Sequence, residues 1–167
     1  MSKERAPQAQ DFMTRKVHTV NPELSLEAAI RFLKRHKVSN APVVEENEDG
    51  HRILVGFLSE GDCLEHLSNE MFFGSPAPQQ TVATMMKRHP VCVEPDMDVF
   101  TLASIFVNHS YRHLPVATDG RLLGIVSRRD ILHALNDYYQ NAFRDRSSKR
   151  FPPNLKELVN HRFILKR

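Results

Sequence analysis

The chain contains an internal repeat, which constrains its fold more than any other feature. Displaced by 73 residues, positions 12–44 align with 85–117, and seven of these 33 positions are identical. The displacement then falls to 68, where 53–67 align with 121–135 and six of 15 positions are identical. The first copy's five extra residues lie within a polar run at 45–51, where a hairpin loop tolerates added length. We therefore predict a tandem duplication.

Both copies carry the same succession of secondary-structure signals. Each begins with a short strand that ends at a proline, and an amphipathic helix follows. Two strands joined at an Asp-Gly turn come next, and a second helix completes the unit. Ser25 and Asp98 stand at the N-caps of the first helices, and Ser59 and Ser127 precede the second ones. The predicted strands are 17–20, 41–44 and 53–58 in the first copy and 91–93, 114–117 and 122–126 in the second.

This order predicts a mixed α/β (α+β) fold of two β-α-β-β-α units. One unit of about 55 residues buries too small a core to be stable alone. The two copies are therefore expected to pack sheet to sheet, with pseudo-twofold symmetry, into one core.

Composition places the chain of 167 residues among soluble globular proteins and argues against an enzyme. Hydrophobic residues make up 41% and charged residues 26%, and no apolar run approaches the roughly 20 residues of a membrane-spanning helix. No signal peptide is recognisable, so a cytoplasmic protein is expected. The glycines and serines form no phosphate-binding loop or nucleophile elbow. Two cysteines cannot supply a four-thiolate zinc site. We predict no catalytic residue, no metal site and no required cofactor.

Motifs in both copies carry a family resemblance. The first strands end in Thr19-Val20-Asn21-Pro22 and Cys92-Val93-Glu94-Pro95. The last strands end in Gly56-Phe57-Leu58-Ser59 and Gly124-Ile125-Val126-Ser127, each with an aspartate three residues later. This ordered series, present twice, resembles the CBS domain, and the pair resembles a stand-alone Bateman module. The resemblance implies a first repeat at 9–70, a linker at 71–80 and a second repeat at 81–136, and it leaves 137–167 as a basic C-terminal extension.

The repeated Ser-x-x-Asp motif has two interpretations. Ser59 with Asp62, and Ser127 with Asp130, stand where a strand gives way to a helix, so each pair fits a capping box. A helix N-terminus also attracts phosphate, and an aspartate one turn in can accept the hydroxyls of a ribose. The resemblance favours the second use, because CBS pairs commonly bind adenosine-type ligands there. It implies AMP, ADP or ATP ahead of S-adenosylmethionine or NAD.

The resemblance also implies that each site draws on both copies. Ser127 and Asp130 would face the strand end at 19–22, and Ser59 and Asp62 would face 92–95. The adenine would lie between apolar residues such as Val20 and Ile125. The predicted ligand-binding residues are Ser127, Arg128, Arg129, Asp130, Arg112, His113, Ile125, Thr19, Val20, Asn21, Pro22, Ser59 and Asp62.

Charge distinguishes the two predicted sites. Arg128 and Arg129 lie between Ser127 and Asp130, and guanidinium groups suit phosphate oxygens. The first site has Glu60 at the corresponding place, which repels a phosphate. We predict that the Ser127 site is occupied first. The alternative is that these arginines belong to a solvated helix face.

Two sequence features suggest partners. The helix at 99–107 is apolar nearly all round, so Phe100, Ile105 and Val107 need a cover, which is either a homodimer partner or the other repeat. The last 31 residues carry eight basic and three acidic side chains, a net charge of +5. Nucleic-acid binding is an alternative for this tail, but no nucleic-acid-binding motif accompanies it. Docking or bracing of a dimer is the favoured interpretation.

The sequence thus predicts a sensor module without enzymatic activity that binds an adenosine nucleotide and signals in trans through a homodimer or an effector protein. Neither nucleic acid nor membrane is an expected partner. The alternative is a structural or protein-interaction module with unoccupied pockets.

Overall fold

The computed structural model describes residues 5–73 and 80–147, so residues 148–167 of the predicted basic extension lie outside them. The fold is mixed α/β, as predicted. None of the helices in these two ranges is long and apolar enough to cross a membrane. The first half contains α1 (Ala9–Phe12), α2 (Leu26–His36), β1 (Asn40–Glu46), β2 (Arg52–Ser59) and α3 (Glu60–Phe73). The second half contains α4 (Val82–Met85), β3 (Lys87–Arg88), α5 (Val99–His109), β4 (His113–Thr118), β5 (Arg121–Ser127) and α6 (Arg128–Ser147).

Both predicted helix caps are confirmed. The Ser25 hydroxyl oxygen accepts a hydrogen bond from the Ala28 N–H at 3.2 Å. The Asp98 carboxylate accepts from the N–H groups of Phe100 and Thr101 at 2.9 and 3.1 Å. A hydrogen bond from the Thr101 hydroxyl at 2.7 Å, together with these two, lowers the pKa of Asp98. Each cap satisfies backbone donors that a helix leaves free at its start.

The strands form two antiparallel hairpins that meet in one sheet of order β1-β2-β5-β4. The hairpins join where Ile53 faces Arg121, and the Leu54 N–H donates to the Gly120 carbonyl at 2.8 Å. The second hairpin turns on Asp119 and Gly120, whose φ angles of 50° and 75° are those of a type I′ turn. The first hairpin has the longer loop at 47–51, within the predicted insertion.

The first strand predicted in each copy is reduced to a single bridge. Val20 pairs in parallel with Val43, and its equivalent Val93 pairs with Val116. In both copies the chain turns two residues later, at Pro22 or Pro95. Because proline has no N–H and the turn carries the chain away, pairing stops after one residue.

The segment before each bridge crosses to the other repeat. Thr14 exchanges two backbone hydrogen bonds with Ile125 of β5, at 2.9 and 3.0 Å. Correspondingly, β3 pairs with Gly56 and Phe57 of β2. The core residues follow the same exchange, since Met13 packs with the second copy's core and Met86 with the first. The two repeats are therefore interlocked.

Candidate functional site

The Ser-x-x-Asp motif forms a capping box at the start of α6. The backbone N–H of Ser127 and its hydroxyl both donate to Oδ2 of Asp130, at 2.8 and 2.7 Å, and the Asp130 N–H donates to Ser127 Oγ at 3.2 Å. Ser59 and Asp62 make the same three contacts at α3, at 2.7, 2.6 and 3.2 Å. The cap predicted from the sequence is therefore confirmed in both copies.

This cap engages most of the backbone donors at the start of α6. The Arg128 N–H donates to the Arg112 carbonyl at 3.2 Å and the Asp130 N–H to Ser127 Oγ, so two N–H groups of this first turn already have partners. A phosphate at this point therefore needs side-chain cations as well as the helix end. Both contacts to the Asp130 carboxylate fall on Oδ2, so Oδ1 is left for a ligand hydroxyl.

A cleft of about 320 Å³ opens beside this cap. Its walls come from both halves of the chain, and its volume lies within the usual range for small-molecule sites. The first half contributes Thr14, Lys16, Val17, His18, Lys37, Val38, Ser39, Asn40 and Pro42, and the second half contributes His113, Ile125, Ser127 and Asp130. Asp130 is the one acidic side chain in this lining, against the two cationic side chains of Lys16 and Lys37. The cleft thus favours an anionic ligand.

A second cavity of about 380 Å³ adjoins the cleft at His113 and Ser127, which line both. Its other lining residues are Arg112, Arg128 and Arg129. None of these three guanidinium groups makes an ion pair within residues 5–73 and 80–147. Unpaired guanidinium groups on one side of Ser127 supply the donors that phosphate oxygens need. We refer to this second cavity as the arginine pocket.

Residues 9–69 and 82–137 match the family of the CBS domain. The chain belongs to this family. It is 30% identical over 139 residues to a 17.7 kDa protein of Acidianus ambivalens, covering 83% of this chain and 79% of the relative. It is 29% identical over 121 residues to the CBS domain-containing protein YhcV of Bacillus subtilis, covering 72% and 80%. The crystal structure of CBSX2 in complex with AMP superposes with a TM-score of 0.68 at 29% identity, covering 79% of this chain and 98% of the chain in that structure.

The CBS pair brings together part of the predicted site residues. His113, Ile125, Ser127 and Asp130 line the cleft, and the three arginines line the adjoining pocket. The predicted segment 19–22 is not among the lining residues. Val20 is buried in the core of the first CBS repeat, because its backbone bridges to Val43. Val17 occupies the lining instead.

Sequence reasoning missed the remainder of the first repeat's wall. Lys16, His18 and Lys37 reach the cleft from segments that carry no family motif. Lys37 has a φ of 53° and ends α2, which turns the chain toward the cleft residues that follow. One available signal was the repeat register, in which Asn40 is the partner of His113.

His113 is half-buried where the cleft and the arginine pocket meet. Its Nδ1 lies 2.8 Å from Nδ2 of Asn40, the equivalent position of the other repeat. Burial lowers the pKa of His113, and Arg112 and Arg128 lower it further, whereas Asp130 opposes the shift. These shifts favour the neutral ring, whose unprotonated Nδ1 can accept a hydrogen bond from Asn40 Nδ2.

The corner at Ser59 and Asp62 has different surroundings. Exposed Glu60 takes the place of Arg128, and its N–H donates to the Ser39 carbonyl at 2.9 Å. Cys92, in the segment predicted to face this corner, is exposed, and its thiol donates to the Pro90 carbonyl at 3.1 Å. The side chain of Cys92 therefore lies outside the core. Cys63 packs in the core, and burial raises the pKa of its thiol.

Proposed function

We propose that this CBS pair is a regulatory sensor that binds an adenosine nucleotide at Ser127 and Asp130 and has no enzymatic activity of its own. The observation that carries this proposal is the cleft itself, which places a Ser-x-x-Asp cap from the second repeat opposite a cationic wall from the first. The AMP complex of CBSX2, a protein of the same fold and family, supports an adenosine ligand.

The chemistry of the cleft suggests how the ligand lies. Oδ1 of Asp130 accepts a ribose hydroxyl, since Oδ2 is occupied by the cap. The adenine lies against the apolar side chains of Val17 and Ile125. The phosphates pass Ser127 toward the arginine pocket. AMP, ADP and ATP fit this distribution of charge better than S-adenosylmethionine, whose sulfonium is cationic.

Binding of this kind supplies a signal because the walls belong to different repeats. A ligand that contacts Lys37 on one side and Asp130 on the other changes the relative position of the repeats. Since each of the two cores includes a segment of the other repeat, this change reaches the helices that pack on both cores. The output then passes in trans to a second copy or to an effector protein.

One alternative is a structural or interaction module with unoccupied pockets. It is favoured by the complete capping box, which satisfies the hydroxyl of Ser127 and the N–H of Asp130 without any ligand. The two proposals differ in the response of protein stability to nucleotides. A ligand at 100 times its dissociation constant stabilises the folded state by about 2.7 kcal/mol, a shift of several degrees in Tm.

We expect AMP, ADP or ATP at millimolar concentration to raise the Tm of the wild type and of Asp62→Ala, but not of Asp130→Ala. The two substitutions remove equivalent capping carboxylates, so each should lower the stability of the ligand-free protein by a similar amount. A difference in the ligand-dependent rise of Tm then shows which site binds the nucleotide. Differential scanning fluorimetry with each nucleotide, S-adenosylmethionine and NAD provides the measurement. No shift with any compound would favour the alternative, and an equal loss in both variants would contradict the preferred site.

A homodimer is the second part of the proposal. Phe100 and Val107 of α5 share one helix face and are 51% and 80% exposed, and Phe100 packs edge-on against Tyr138 of α6. Leu132 of α6 adds a further exposed apolar side chain. Intramolecular burial therefore leaves much of this face uncovered, and a second copy offers a matching apolar surface.

We expect Val107→Glu to convert the dimer into a monomer, because a carboxylate on this face would lose its water on association. His109→Glu serves as the control, since about 100° per residue places His109 on the opposite side of the helix. Sedimentation equilibrium measures both. A wild type that is monomeric at high micromolar concentration, or a Val107→Glu variant that remains dimeric, would refute this interface.

A further inference from the structure

The side-chain pair Asn40 and His113 lies at the junction between the repeats. The two positions are repeat equivalents, 73 residues apart, and their side chains meet directly at 2.8 Å. Each begins its own strand, where Asn40 pairs with Ser59 and His113 pairs with Ser127. The pair therefore connects the strand ends that carry the two capping serines. Both members also line the nucleotide cleft.

The hydrogen bond defines the state of the imidazole ring. With Asn40 Nδ2 as the donor, His113 Nδ1 is the acceptor and carries no proton. The neutral ring then holds its proton on Nε2, and it presents a donor rather than an acceptor to its surroundings. Burial and the neighbouring arginines favour this neutral form. Ser39 Oγ lies 3.2 Å from the same Asn40 nitrogen and helps to hold the amide in place.

We propose that Asn40 is a positioning residue for the nucleotide site, which holds His113 as the Nε2–H tautomer so that the ring donates to an oxygen of the ligand. The inference rests on the proposed nucleotide binding. Asn40, in the first repeat, thus determines whether His113, beside Ser127, donates or accepts a hydrogen bond. The ligand oxygen belongs to the ribose or the phosphate, the acceptor groups that pass between the cleft and the arginine pocket.

The state of the ring is tested on the ligand-free protein by ¹⁵N-resolved NMR of the histidine side chains at pH 7.5. We expect Nε2 to be protonated and Nδ1 to be unprotonated in the wild type. In Asn40→Asp a carboxylate faces Nδ1, which should become protonated. Asn108→Ala, which removes an exposed amide from α5, should leave the spectrum of His113 unchanged. A protonated Nδ1 in the wild type would overturn the proposal.

The effect on binding is tested by calorimetric titration with AMP. Asn40→Ala should weaken binding about three- to tenfold, as expected for the loss of one hydrogen bond that positions the ring. In a His113→Ala background the same substitution should have little further effect, because Asn40 acts through the ring. Additive losses would show that Asn40 contacts the ligand directly and would overturn its positioning role. A wild type that binds neither AMP nor ATP would instead refute the proposed function, whatever the NMR spectra show about the ring.

Discussion

Gly124→Ala should destabilise the protein by about 1–3 kcal/mol and weaken nucleotide binding, because a methyl group at this position has no room. A Cβ on Gly124 would lie 2.8 Å from the Thr14 carbonyl oxygen and 2.7 Å from the Met13 sulfur. Thr14 is held there by two backbone hydrogen bonds to Ile125, and both residues line the cleft. The added methyl therefore displaces the crossing segment from β5 and alters the wall of the site.

Two other glycines provide controls for this substitution. Gly56→Ala would add a Cβ that overlaps the Met86 side chain. Gly56 lies where β3 pairs with β2, the crossing equivalent to that of Thr14 and β5. The substitution should also destabilise the protein while disturbing the Ser127 cleft less. In Gly61→Ala the nearest atom, Ser59 Oγ, is 3.5 Å away, so this substitution within α3 should be neutral or stabilising. Urea unfolding and AMP titration measure all three. A Gly124→Ala variant with wild-type stability and affinity would show that the crossing segment does not shape the site.

The local features of the fold were predictable because each depends on residues close together in sequence. The N-caps at Ser25 and Asp98, the Asp119-Gly120 turn and the two Ser-x-x-Asp boxes all follow from the chemistry of a few neighbouring side chains. The alignment of the two copies then located the equivalent feature in the second copy. Where the structure departs from prediction, in the short strands at Val20 and Val93, the following turn limits pairing to a single bridge.

The crossing of the segments between the repeats was not predictable in the same way. Thr14 pairs with Ile125, more than one hundred positions away, and no local pattern records such a contact. The consequence for the site is direct, because the crossing brings Lys16, Val17 and His18 to the cleft in place of 19–22. The equivalence of Met13 with Met86 and of Gly56 with Gly124 was a visible trace of the crossing. The sequence does not show why these residues recur. In the structure, each methionine lies against the glycine of the other repeat, where a Cβ would have no room.

The two Ser-x-x-Asp corners also show why the cap alone does not specify a nucleotide site. Their hydrogen-bonding geometry is nearly identical, and in each the serine and aspartate satisfy one another. The corners differ in the side chain that follows the serine, Glu60 at one and Arg128 at the other. We therefore attribute the predicted preference for the Ser127 corner to the charges around it rather than to the cap.

The arginine pocket should make affinity depend on the number of phosphates. We expect ATP to bind the wild type more tightly than AMP, because only the longer phosphate chain reaches past Ser127 to Arg128 and Arg129. Charge-assisted hydrogen bonds contribute about 1.5–3 kcal/mol each, and screening of these exposed guanidinium groups places them at the lower end. We therefore expect a loss of about tenfold in ATP affinity for each arginine removed.

The double variant Arg128→Gln/Arg129→Gln tests this expectation, since glutamine keeps the helix propensity of α6. It should reduce ATP affinity by about 100-fold and AMP affinity by much less, and the dependence of ATP binding on salt should weaken. Arg52→Gln/Arg121→Gln removes the same charge from the first residues of β2 and β5, outside both cavities, and should leave the ATP-to-AMP ratio unchanged. Equal affinities of the wild type for ATP and AMP, or equal losses for both nucleotides in the Arg128→Gln/Arg129→Gln variant, would mean that the phosphate chain does not enter the pocket. The three arginines would then belong to a solvated surface, and Ser127, Asp130 and the cationic wall of the first repeat would account for binding by themselves.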